Sequence, residues 1–195
     1  MLVVSSAVCF LSFPGCGGQQ GSENMSELFF HIDSSQLGSL FESESLGVAL
    51  HPPKGWTVMG SDSREKLRRQ LMAEQNDSEP LAIHPVAIFM DTASGALLSV
   101  NHLEVMSTDS SAFMSYTQTL ENAFPGQSVK KADFSKDGMP FIQYLIQGNK
   151  QIAFKLITTT GNKSNLQFDY IIPVHAYVDQ IKAIESSIGS IRKTH

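Results

Sequence analysis

Two pairs of histidine and acidic residues have the types and spacing best suited to metal chemistry. His102 and Glu104 are two residues apart in ALLSVNHLEVM, a stretch predicted to be a strand, and His31 and Asp33 repeat the spacing. Side chains two apart on a strand project from the same face, and imidazole and carboxylate both bind divalent metals. A tetrahedral site needs three or four ligands. A metal site therefore requires the two pairs to converge, whereas hydrogen-bonded groups on a solvated sheet face are the simpler interpretation.

Groups suited to covalent catalysis are scarce. Both cysteines, Cys9 and Cys16, lie near the N-terminus, so the rest of the chain has no thiol nucleophile, disulfide or thiolate metal site. No serine stands in a G-x-S-x-G elbow, and no loop has the phosphate-binding pattern G-x-x-x-x-G-K. Asp91 and Asp133 fall in predicted loops, where turn formation accounts for them. The sequence predicts a protein that is not an enzyme and has no cofactor; a hydrolase with an unrecognised site is the least favoured hypothesis.

The N-terminus has the character of an export signal. Leu2 to Phe13 is apolar apart from three serines, which is shorter than the roughly 20 residues of a membrane-spanning helix. Gly15 and Cys16 follow, and then a polar stretch that is predicted to be flexible. The segment resembles a bacterial lipoprotein signal, which implies a lipid on Cys16 and anchoring to the extracytoplasmic side of a cell-envelope membrane. The alternative is a short buried strand or a disordered stretch over residues 1–24, with Cys16 an ordinary thiol.

Size and charge limit the partners. The chain has 195 residues, 42% of them hydrophobic, which is enough for one domain. Its net charge of −5 argues against nucleic acid as a partner. A predicted helix carries a basic cluster, Arg64, Lys66, Arg68 and Arg69. This cluster could meet anionic lipid headgroups, but nearby glutamates partly balance it, so a solvated helix face is the favoured interpretation.

The remaining pattern predicts a layered α+β domain. Helices are expected over residues 63–75, 108–125 and from about 175, and strands over 46–50, 81–91, 96–106, 139–148, 150–160 and 165–173. Strands in hairpins, with one helix inserted and another at the end, favour a central antiparallel sheet flanked by helices. We divide the chain into a signal segment (1–16), a flexible tether (17–38) and a single domain (39–195).

Residues 40–192 contain three informative stretches, LGVALHPPKGW, SSAFMSYTQTLENAF and FDYIIPVHAYVDQIKAIESSIGSIR. Together they resemble the PsbP family, the fold of the extrinsic photosystem II subunit and of many bacterial relatives. The resemblance implies an α-β-α sandwich and a binding or assembly role without catalysis. The sequence matches a general bacterial lipoprotein more closely than a photosynthetic subunit.

The favoured hypothesis is therefore a non-catalytic binding or assembly module. It would be tethered to a membrane through a lipid on Cys16 and would bind a protein partner that the sequence does not identify. The alternative is a periplasmic carrier of a small ligand or metal, which would need His102, Glu104 and His31 in one pocket.

Overall fold

The computed structural model describes residues 26–27, 30–74, 81–105 and 112–194. Three helices lie in these ranges: α1 (Ser61–Glu74), α2 (Ala112–Asn122) and α3 (Tyr177–Ser190). Eleven strands accompany them: β1 (Ser26–Glu27), β2 (Phe41–Ser43), β3 (Val48–Leu50), β4 (Thr57–Val58), β5 (Leu81–Met90), β6 (Leu97–Val105), β7 (Ser128–Lys136), β8 (Met139–Gln147), β9 (Gln151–Thr159), β10 (Asn165–Pro173) and β11 (Arg192–Lys193). Short 3₁₀ turns span Ser34–Gln36 and Val174–Ala176.

The strands form one large and one small sheet. The large sheet has the order β1-β7-β8-β9-β10-β6-β5-β4, and the small one has the order β11-β3-β2. All pairings between these strands are antiparallel except that of β1 with β7. The predicted α+β class with an antiparallel sheet is confirmed.

The hairpins follow their turn sequences. β7 and β8 are joined by Asp137 and Gly138, both with positive φ (50° and 67°), the conformation that the tightest hairpin turns require. The register of β5 against β6 shifts between Pro85 and Ala87. The missing N–H of proline is tolerated where the ladder is interrupted.

Alternation along the strands divides the apolar side chains between two clusters. In β9, Phe154 and Leu156 belong to a larger cluster that also holds Ile184 and Ile188 of α3. Ala153 and Ile157 belong to a second cluster, which includes Leu120 and half-buried Tyr116 of α2. Successive strand residues project from opposite faces, so α2 and α3 each contribute to a different face of the large sheet.

β7 has no counterpart among the predicted strands. Its sequence, SVKKADFSK, is mostly exposed, and Phe134 is its one fully buried apolar side chain. A strand near a sheet edge needs few apolar residues, so the period that identifies buried strands is absent. Asp133 lies in this strand, and the prediction of a loop there is wrong.

The N-terminal arm, residues 30–38, lies against the domain, although the sequence assigns it to the tether. The Phe30 ring packs beside that of Phe134, with 5.7 Å between the centroids. The backbone N–H of Gly38 donates to the Pro52 carbonyl at 2.7 Å. Before the arm, Ser26–Glu27 pairs with Phe134 and Ser135 of β7. The apolar residues around Phe30 form a run too short to predict a core element, so this packing becomes visible only in the folded chain.

Candidate functional site

The C-terminal part of α3 is where the arm and the end of β3 meet. Its sequence SSIGS places three buried serines one helical turn or less apart. Ser186 Oγ accepts from the Asp33 N–H at 3.1 Å, and Ser190 Oγ accepts from the His51 N–H at 2.8 Å. Ser187 Oγ donates to the His51 carbonyl at 2.6 Å. These serines therefore form hydrogen bonds with backbone groups of Asp33 and His51, which lie outside the regular helices and strands.

Gly189 lets the arm approach α3 closely. A Cβ added at this position would lie 2.6 Å from Phe30 Cβ and 3.0 Å from Ile32 Cγ1. The requirement is space rather than backbone conformation, because Gly189 lies inside α3 without a positive φ. The serine and glycine pattern that contributes to the PsbP resemblance thus has a packing function in this chain.

A cleft of about 490 Å³ lies between the arm and α3. It is lined by Phe30, His31, Asp33, Lys182, Glu185 and Ser186. Asp33 caps the 3₁₀ turn, and the hydrogen bond from the Ser35 hydroxyl holds the pKa of Asp33 below its usual range. A charged carboxylate, an ammonium group and an imidazole along an open cleft suit the binding of a polar ligand more than a chemical step.

The structure places Glu104 of β6 beside His84 of β5. His84 lies opposite His102 in the β5–β6 pairing. Glu104 Oε2 lies 2.9 Å from His84 Nε2, a short contact between a carboxylate oxygen and an imidazole nitrogen. The cross-strand neighbour on β5 supplies this partner, and a spacing rule applied to β6 alone does not find it.

The four candidate metal ligands occupy two places. His31 and Asp33 lie on the arm beside α3, while His102 and Glu104 lie on β6 beside β5. Within the ranges that the structure describes, no group of three or more His, Cys, Asp or Glu side chains could hold a metal ion.

A buried polar network, which the sequence does not predict, surrounds Asp169 of β10. Asp169 Oδ1 accepts from Lys155 Nζ at 2.8 Å, and Oδ2 accepts from Asn101 Nδ2 at 3.0 Å and from Gln167 Nε2 at 2.8 Å. The Lys155 and Asp169 side chains are only 17% and 11% exposed. Three donors, one of them charged, compensate the carboxylate for its loss of water.

The same network ties α2 to the sheet. The Tyr116 hydroxyl of α2 donates to Gln167 Oε1 at 2.6 Å, and Ser99 Oγ of β6 donates to Asn101 Oδ1 at 2.7 Å. The signal in the sequence is the alternation in NLQFDYIIP, where Gln167 and Asp169 interrupt apolar positions. That pattern indicates a polar sheet face, and only the position of α2 turns this face into an interior.

Two further polar groups have a structural explanation. The Tyr170 hydroxyl lies 2.9 Å from Ser187 Oγ, and burial raises the pKa of the Tyr170 phenol well above its ordinary value. Asp91 lies in the turn between β5 and β6, where the hydrogen bond from the Ser94 hydroxyl lowers the pKa of the Asp91 carboxyl.

The basic cluster of α1 belongs to the β5 side of the large sheet. α1 packs against β5, at the opposite side of the large sheet from β1. Arg69 and Glu65 form an exposed ion pair at 3.4 Å, as expected for a solvated helix face. The side chain of Arg68 and all of Cys16 lie outside the described residues. None of the helices in the described ranges is long and apolar enough to cross a membrane.

No protein family model matches the sequence, and no curated protein matches it. Among solved structures, the chain is similar to the solution structure of cyanobacterial PsbP (CyanoP) from Synechocystis sp. PCC 6803. The identity is 14% and the TM-score 0.46, over 91% of this chain and 98% of that chain.

Proposed function

We propose that this chain is a non-catalytic binding or assembly module of the bacterial cell envelope, with an α-β-α sandwich fold. In this proposal a lipid on Cys16 holds it at an extracytoplasmic membrane surface, where it binds another protein. The assignment of α2 and α3 to opposite faces of the large sheet supports the sandwich.

The hydrogen-bond network around Asp169 is the observation that supports a non-catalytic role. Asp169 is the most deeply buried carboxylate among the described residues, and three internal donors engage its two oxygens. A catalytic carboxylate has to reach a substrate proton or carbon within hydrogen-bond distance. Asp169 instead orients Gln167, which holds Tyr116 of α2, so the group contributes to the fold.

The position of Cys16 supports a close membrane tether. Ser26, where the chain joins the large sheet, lies ten positions after Cys16. Fully extended, such a linker spans at most about 35 Å. A lipid on Cys16 would therefore keep the domain next to the bilayer, within reach of membrane-bound partners.

The intact mass of the protein extracted from membranes of its native host tests the anchor, with Cys16→Ser as the matched control. We expect a mature chain that begins at Cys16 and carries a diacylglyceryl group and an N-acyl chain, and we expect the Cys16→Ser variant to lack both. An unmodified Cys16 in a freely diffusing chain would overturn the lipoprotein assignment. Co-purification from the solubilised membrane then identifies the protein partner.

The cleft between the arm and α3 favours one alternative, a carrier of a small polar ligand. Its volume of about 490 Å³ lies within the range of ligand sites, roughly 300–1,000 Å³. A ligand in this cleft would contact Lys182 and Glu185, so Lys182→Gln would weaken its binding. Thermal-shift screening of small zwitterions and acids against the native chain and this variant separates a carrier from an assembly module.

A further inference from the structure

Basic side chains concentrate at the edge of the large sheet where the chain enters the fold. We call this region the entry edge and define it as β1, β7, the Asp137–Gly138 turn and β11. Its basic residues are Lys130, Lys131, Lys136, Arg192 and Lys193, and its acidic residues are Glu27, Asp133 and Asp137. The net charge is +2, in a chain whose net charge is −5.

The exposed cations flank the entry point on both sides. Ser26 pairs with Phe134, and exposed Lys130 stands four residues earlier on β7, about 13 Å away along the strand. Lys193 Nζ donates to the Gly138 carbonyl at 3.1 Å, four residues beyond Phe134. Arg192, next to it, is also exposed.

Two of the basic residues have structural contacts. Lys136 donates to the Ile191 carbonyl at 2.8 Å and pairs with Asp137, and its side chain is only 13% exposed. Lys131 lies over the Tyr144 ring, with Nζ 5.9 Å from the centroid. Lys193 keeps an exposed side chain although it donates to the Gly138 carbonyl, so the surface charge considered available to a partner is that of exposed Lys130, Arg192 and Lys193.

We propose that the entry edge faces a membrane that carries anionic headgroups. This inference rests on the proposed lipid anchor, because the anchor determines which side of the domain meets the bilayer. The linker reaches β1 first, and ammonium and guanidinium groups on both sides of it match lipid phosphates in charge and hydrogen bonding.

The basic cluster of α1 is less well placed for this contact. In the strand order, β5 is five strands from β7, which corresponds to about 24 Å across the sheet at roughly 4.8 Å per strand. The α1 cluster, pairing Arg69 with Glu65, therefore lies on the side of the sheet away from the tether. It offers a matched control of similar charge in a different place.

Vesicle flotation of the mature chain, residues 16–195 with Cys16→Ser, tests the surface without the lipid and without the apolar signal segment. The vesicles are phosphatidylcholine alone or phosphatidylcholine mixed with phosphatidylglycerol, at low salt. We expect binding only to the anionic vesicles. The Lys130→Gln/Arg192→Gln/Lys193→Gln variant should bind at least about tenfold more weakly, given roughly fivefold per basic residue, and added salt should reduce binding through screening.

The control variant is Arg64→Gln/Lys66→Gln/Arg69→Gln, which should bind like the Cys16→Ser parent. Equal binding to both kinds of vesicle, or an equal or larger loss in the control, would overturn the proposal. If the entry-edge variant fails to fold by circular dichroism, the single variants Lys130→Gln and Arg192→Gln replace it, each about fivefold weaker. Intact mass tests the lipid anchor separately. A chain without the lipid is therefore distinguishable from a domain whose entry edge does not bind anionic vesicles.

Discussion

Replacing Gly189 by alanine should release the N-terminal arm while leaving the rest of the fold intact. The new Cβ would lie 2.6 Å from Phe30 Cβ and 3.0 Å from Ile32 Cγ1. Both distances are too short for ordinary van der Waals contact. Because the Phe30 contact is at Cβ, a change of side-chain rotamer cannot relieve it, and the backbone of the arm must move.

The two energetic effects of Gly189→Ala have opposite signs. Alanine stabilises the interior of a helix by roughly 0.5–1 kcal/mol relative to glycine. Moving half-buried Phe30 off Phe134 and α3 removes about half of the burial energy of a phenylalanine, about 1–1.5 kcal/mol. The free energy of global unfolding should therefore change by less than about 1 kcal/mol, while the docking equilibrium of the arm shifts towards the open state.

Hydrogen exchange resolved by segment measures the two effects separately. We expect amides of residues 30–38 to lose protection by about tenfold, which corresponds to about 1.4 kcal/mol. The amides whose acceptors lie across the arm contact are the direct reporters: Asp33, bonded to Ser186, and Gly38, bonded to Pro52. Amides inside α3 should keep or gain protection.

Gly161→Ala is the matched control, because no atom lies within 4 Å of a Cβ built there and its φ is not in the left-handed region. It should leave exchange in the arm unchanged. Unaltered protection of residues 30–38 in Gly189→Ala would refute the argument that this glycine is required for docking of the arm.

Four further outcomes follow from the described contacts. Asp169→Asn leaves the largely buried Lys155 ammonium without its charge partner, so it should lower the free energy of unfolding by about 2–3 kcal/mol. Urea titration measures this change, and a loss below about 0.5 kcal/mol would contradict the structural role of the network. Burial raises the pKa of Tyr170, so its contribution to stability is full below the unfolded-state pKa of about 10 and falls above it by up to about 1.4 kcal/mol per pH unit. Tyr170→Phe should lack this component in denaturation measured on both sides of pH 10, and parallel pH profiles for the two proteins would count against it. The Ser94 hydrogen bond lowers the pKa of Asp91, so the ionised carboxyl stabilises the fold above its ordinary pKa and loses that contribution as the pH falls. The decrease in the free energy of unfolding on acidification should therefore be smaller in Ser94→Ala than in the native chain. Thermal-shift series with zinc, manganese and calcium should be flat, whereas a concentration-dependent rise would favour the carrier hypothesis.

The strands and helices with a clear hydrophobic period could be predicted from the sequence. The stretches around β5, β6, β8, β9 and β10 alternate or contain continuous apolar runs, and α3 repeats its isoleucines at helical spacing. These signals are local, because the burial of one face imposes the period of the element on the sequence. β7 lacks the signal because it lies near the edge of the sheet, and its polar sequence shows how little apolar surface an outer strand requires.

The candidate sites depend on contacts between distant parts of the chain. Asp33 meets Ser186 across 153 positions and His51 meets Ser187 across 136. The order of the strands places Glu104 beside His84. It also places Asn101 where its side-chain amide donates a hydrogen bond to Asp169. No spacing rule within one element predicts such neighbours.

The sequence by itself determined the α+β class, the hairpin order of the central strands and the absence of thiols after Cys16, because these depend on local periodicity and composition. Only the tertiary structure decided that the arm docks on α3, that Asp169 is an interior group and that the exposed cations of β7 and β11 flank the point of entry. The physical reason is that burial and neighbouring charge depend on which surfaces meet, and a residue type specifies its own chemistry but not the group that will lie against it.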